Sequence, residues 1–114
     1  MNYIIQTPSA RELKEEILAK VSAKVDGNGL GITTWQCVET NCSDKVLVYT
    51  ENQWAEKGCV TLTQVAGRKE LKVKFFYWET CNDRENSDEK YLLGKFTELV
   101  LIHFYYHVDK IMIE

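Results

Sequence analysis

The sequence predicts an α+β fold: a two-layer sandwich whose mainly antiparallel sheet of about five to six short strands carries two main helices on one face. Three observations lead there. Helical periodicity with start signals appears twice, after Ser9 and from about Asp88. Between those stretches lie several short segments rich in β-branched and aromatic residues, bounded by turn residues. A run of strands flanked by helices is the pattern of helices segregated to one side of a sheet.

Tyr3-Ile4-Ile5 reads as the first strand. Pro8 suits a first helical position, and Ser9 with Glu12 has capping-box spacing. Leu13, Ile17, Val21 and Val25 then recur at near four-residue spacing, so this helix is amphipathic. Asp26-Gly27-Asn28-Gly29 stops it. Gly31 to Thr40 reads as a strand, Asn41 to Asp44 as a turn, and Lys45 to Tyr49 as the next strand. Thr50 and Gln53 offer a second capping box for a short helix over Glu51–Lys57, with Gly58 as its stop.

Cys59 to Val65 and Glu70 to Glu79 flank Ala66-Gly67-Arg68-Lys69 and read as a hairpin. By the two-residue period of a strand, Leu71, Val73, Phe75 and Tyr77 share the core face. Lys72, Lys74, Phe76 and Trp78 share the other face. A polar, mostly acidic loop follows, and then a helix over about Asp88 to Val108. That helix is apolar round much of its circumference after Gly94, which implies more than one neighbour or a partner over part of it. Ile111-Met112-Ile113 is the last strand. The order is β-α-β-β-(short α)-β-β-α-β.

The 114 residues suit a single globular domain spanning 1–114. Thirteen large rings (3 Trp, 6 Tyr, 4 Phe) help so small a core. With 14 basic against 17 acidic residues the net charge is −3, which disfavours general affinity for nucleic acid. Met1 to Gln6 has neither the basic flank nor the apolar run of a signal peptide, so a cytoplasmic location is expected. Leu99 to Tyr106 is too short, and too interrupted by His103, to cross a membrane. The 4 cysteines are expected to be reduced, and no Cys-x-x-Cys pair occurs.

Among constellations that carry chemistry, Cys37-x4-Cys42 with His103-x3-His107 formally echoes a tetrahedral zinc set. The two histidines would lie one helical turn apart, but about 60 residues separate Cys42 from His103. The bland alternative makes the histidines amphipathic residues near a helix end and Cys37 a small core side chain. Cys42 has no neighbour that would lower its pKa, so no catalytic thiol is read. Gly27-Asn28-Gly29-Leu30-Gly31 runs from helix to strand, the reverse of a phosphate cradle.

No catalytic residue, metal or cofactor is therefore assigned, and a protein-binding role is expected rather than an enzyme. Its contact residues would be Trp54, Phe76, Trp78, Tyr105 and Tyr106, since aromatics are enriched at hot spots. Asp83 and Glu85 in the acidic loop would meet a basic partner. Small size and acidity suit an immunity or inhibitor protein that neutralises a basic toxin domain. A homodimer through the second helix would use the same rings. The alternatives are a small-ligand or metal-binding domain or enzyme using Cys and His groups, and single-stranded nucleic-acid binding by the 66–78 hairpin.

Overall fold

In a computed structural model that describes residues 3–39, 45–51, 53–78 and 87–113, the chain forms one antiparallel sheet with its two long helices on one side. The elements are β1 (Tyr3–Gln6), α1 (Ala10–Ala23), β2 (Trp35–Glu39), β3 (Lys45–Tyr49), α2 (Trp54–Lys57), β4 (Gly58–Gln64), β5 (Glu70–Tyr77), α3 (Ser87–His103), a 3-10 turn (Tyr105–His107) and β6 (Lys110–Ile113). Their order is the one the sequence predicts. The six strands lie in the order β2-β3-β4-β5-β1-β6. β1 thus sits between β5 and β6, with Tyr3 opposite both Val73 and Ile113.

Strand alternation sorts the side chains. Ile5, Leu47, Val60, Leu62, Leu71, Val73 and Phe75 face the helices and are buried. α1 lays Leu13, Ile17 and Val21 on them, all fully buried, each contributing roughly 1.5–3 kcal/mol. α3 adds Leu92, Phe96, Leu99 and Val100. The ring of Phe96 meets Tyr3 and Trp35 edge-on, at centroid distances of 6.1 and 6.0 Å. The opposite face carries a smaller cluster of Val46, Val48 and Cys59, against which Val38, Ala55, Phe76 and Trp78 pack.

Several element ends differ from the sequence reading. The N-cap half of the α1 capping box forms, Ser9 Oγ accepting from the Glu12 amide at 3.3 Å. The helix ends earlier, because Lys24 turns left-handed (φ 63°), and Val25 leaves the helix to bridge Gly31. α2 begins only at Trp54, after a left-handed Gln53 (φ 66°) whose side chain makes no cap bond. β2 starts at Trp35 rather than Gly31. The β4–β5 hairpin turns through Gly67 at φ 73°, a conformation that favours glycine.

The largest difference is the end of α3, which stops at His103 instead of near Val108. Phe104 takes φ −132° and ψ 13°, and its ring is buried. The chain is then held at the β1–α1 junction: the Thr7 hydroxyl donates to the His107 carbonyl at 2.6 Å, and the Asp109 amide to the Gln6 carbonyl at 2.8 Å. A straight helix to Val108 would carry β6 past its pairing register with β1. Among the described residues, no helix is long and apolar enough to cross a membrane.

Candidate functional site

The end of α3 has two unlike faces. Leu99, Val100, His103 and Phe104 turn inward and are buried. Leu101, Ile102, Tyr105 and Tyr106, by contrast, are 54%, 56%, 59% and 49% exposed. The two tyrosine rings meet edge-on at 5.6 Å, and Tyr106 lies against the His107 ring at 4.3 Å. Partial burial, followed by the nearby carboxylates of Glu16 and Asp26, pushes the Tyr106 phenol above its ordinary pKa.

Behind this face lies a buried pair. His103 Nδ1 is 2.7 Å from Asp26 Oδ2, with side-chain exposures of 10% and 0%. Asp26 also organises the loop after α1. Its Oδ1 accepts the amides of Asn28 and Leu30, both at 2.8 Å, and its own amide donates to the Leu30 carbonyl at 2.9 Å. The His103 hydrogen bond holds the Asp26 carboxyl below the usual range; burial opposes this, and the Leu30 and Asn28 amides add to it. One carboxylate therefore fixes both a loop and the end of a helix 77 residues away.

Beside the pair, between α3 and the segment leading into β2, is a cleft of about 170 Å³. Ile32, Trp35, Leu99 and Ile102 supply apolar wall, and His103 lines the cleft. Lys95 and Glu98 stand at it as a 3.4 Å ion pair, the glutamate raising the lysine pKa.

The sequence-read contact residues fall in different places. Trp54 is half-buried, stacked on Tyr91 at 4.9 Å and 15°, with Lys57 Nζ 4.5 Å from its ring centroid. Phe76 and Trp78 are half-buried on the far face of the sheet, where Trp78 Nε1 donates to the Ala55 carbonyl at 2.7 Å. Tyr105 and Tyr106 stand together on the open face of the 3-10 turn. Asp83 and Glu85 lie outside the described residues. In the 66–78 hairpin, Lys72 and Lys74 are half-buried on the far face, and Arg68 at the turn is 3.7 Å from Glu70.

Of the zinc-like set, the three described residues, Cys37, His103 and His107, form no metal-holding group. Cys37 lies on β2 opposite Leu47, packed against the main core. His103 closes α3 against Asp26, whereas His107 belongs to the 3-10 turn, so the two histidines do not share a helical face. Cys42 lies outside the described residues. Among the described residues, no three His, Cys, Asp or Glu side chains are placed to hold a metal ion. The buried Cys59 thiol is pushed up to about 11 by desolvation, which makes it a poor nucleophile.

Sequence reasoning missed three features of this region: Leu101 and Ile102 as surface residues, Asp26 as an anchor, and the cleft. An Asp in an Asp-Gly-Asn-Gly run is a known side-chain-to-backbone turn former, so half of the Asp26 role had a local signal. The chain matches no family model, no curated protein and no solved structure.

Proposed function

We propose that this domain binds another protein through the end of α3 and the 3-10 turn after it. The observation that carries this reading is the exposure of Leu101, Ile102, Tyr105 and Tyr106 side by side on an otherwise inward-packed segment. Single exposed apolar residues are ordinary, but a group with two tyrosines resembles the composition of interface hot spots. Tyr91, also exposed and stacked on Trp54, extends the aromatic character along α3.

The specific form we favour is an immunity-type inhibitor that neutralises a basic toxin domain. It rests on small size and the net charge of −3, which would steer a cationic partner. The test is to co-express the chain with the product of a neighbouring toxin-like reading frame and measure affinity by calorimetry. Tyr105→Ala/Tyr106→Ala is expected to weaken binding about 100-fold or more, the worth of one or two hot-spot residues. Unchanged affinity in that double variant refutes the assigned surface, and the absence of any complex with the basic partner refutes the inhibitor form.

A further inference from the structure

We infer that the outer edge of β6 pairs with the same strand of a second copy of this chain, antiparallel and centred on Met112, so that two sheets join into one. The contact is separate from the protein-binding face, since it uses the backbone of the sheet edge rather than the side chains of α3 and the 3-10 turn.

The direction of the backbone groups carries the first half of the case. β6 is the last strand of the sheet, and among the described residues β1 is its only neighbour. The Thr7 amide donates to the Lys69 carbonyl at 3.1 Å, in step with the pairs Tyr3–Val73 and Ile5–Leu71. Antiparallel pairs alternate between bonded and unbonded, so Tyr3 and Ile5 turn their amides and carbonyls to β5, and Ile4 and Gln6 turn theirs to β6. Ile4 and Gln6 stand opposite Met112 and Lys110. Those two residues are therefore engaged with β1, and Ile111 and Ile113 present their amides and carbonyls outward. The other edge of the sheet is guarded at Trp35, whose carbonyl accepts from Lys24 Nζ at 2.9 Å. Ile111-Met112-Ile113 contains no proline or lysine, the residues that commonly blunt an edge.

The order of residues along the strand selects a second copy as the occupant. Pairing about Met112 sets Ile111 opposite Ile113 of the second copy, and Ile113 opposite its Ile111. These are the outward residues of both strands, so each pair can exchange both of its bonds. Their side chains lie on the helix side of the sheet, as do Tyr3 and Ile5 opposite them, and Ile113 is 57% exposed. In the sequence a cation, Lys110, opens this stretch and an anion, Glu114, follows it. The same register brings unlike charges to matching ends, a cross-strand pairing that stabilises sheets. A slip of one residue would set outward groups against inward ones, and a slip of two would separate the charges. The contact is isologous and closes at two chains. A strand so short makes a weak, exchanging dimer rather than an obligate one.

Sedimentation equilibrium of the full chain from about 10 μM to about 1 mM reads the pairing, a range that covers weak association. The chain is expected to pass from monomer to dimer. Ile113→Pro removes an outward amide that β1 does not use, so the fold should stand by circular dichroism while the dimer is lost across the range. Lys110→Glu sets like charges at the matching ends and should weaken the dimer about fivefold, and adding Glu114→Lys should restore it. A chain that stays monomeric up to about 1 mM, a dimer that survives Ile113→Pro, or a charge swap that restores nothing overturns the inference. A dimer lost in Tyr105→Ala/Tyr106→Ala but kept in Ile113→Pro puts the contact on the α3 face and overturns it as well. Should Ile113→Pro fail to fold, the charge swap decides alone.

Discussion

Gly58 gives the sharpest stability prediction, because its neighbours are backbone and aromatic ring rather than flexible side chain. It opens β4 opposite Tyr77, in extended conformation, so backbone freedom is not the issue. A Cβ there would lie 2.1 Å from the Phe76 carbonyl oxygen and 2.7 and 2.9 Å from Cε2 and Cζ of Phe75. Relaxed carbon–oxygen approaches are about 3.3–3.6 Å, so the carbonyl must retreat by more than about 1 Å. Strands about 4.8 Å apart cannot open that far without losing ladder bonds.

Overpacking alone costs about 1–3 kcal/mol, and each lost hydrogen bond about 1 kcal/mol. Gly58→Ala is therefore expected to destabilise by about 3–4 kcal/mol, lowering Tm by roughly 12–20 °C in a chain of this size. Gly94→Ala is the internal control: it lies within α3, and its added Cβ would meet nothing within 4 Å. That change should stabilise by about 0.5–1 kcal/mol through helix propensity. Urea unfolding followed by circular dichroism measures both. A loss below about 0.5 kcal/mol for Gly58→Ala, the range of ordinary surface changes, would refute the steric reasoning.

Two further outcomes follow from the ionisable groups. The Asp26 carboxyl is held low in the folded chain, so its stabilisation is present above the ordinary carboxylate pKa of about 3.9 and is lost as pH falls through the lower native value. Asp26→Asn should flatten the acid limb of a urea-midpoint-against-pH curve, and an unchanged limb would contradict the assignment. Cys59, raised to about 11 by burial, should resist a thiol reagent at pH 8 until the chain unfolds, whereas rapid labelling of a variant keeping only that cysteine would show the site to be open.

Much of the fold was legible locally. The β3 span Lys45–Tyr49 follows from its β-branched and aromatic run after turn residues, and the inward set Leu71, Val73 and Phe75 of β5 from alternation. The N-terminus of α1 follows from Ser9 and Glu12, whose spacing makes the cap. The end of α3 was not legible, because residues 104–108 continue a helical apolar pattern. What stops the helix is distant, namely Thr7 and Gln6 holding His107 and Asp109. The Asp26–His103 pair was hidden for the same reason: two polar residues 77 positions apart carry no mutual signal in one sequence. The half-burial of Trp54, Phe76 and Trp78 likewise depends on partners such as Tyr91 and Ala55, which only tertiary packing supplies.

The place of β1 in the sheet governs how the chain can assemble. β2 to β5 form a meander whose neighbours are successive in sequence, so those pairings can be made early at small entropic cost. β1 must wait for β5, about 70 positions downstream, and β6 can dock only once β1 offers its other edge. Closure of the sheet is therefore a late, long-range event, which sets a slow folding rate for so short a chain. A fragment without Tyr3–Gln6 would keep the meander while leaving Lys110–Ile113 with no strand to join.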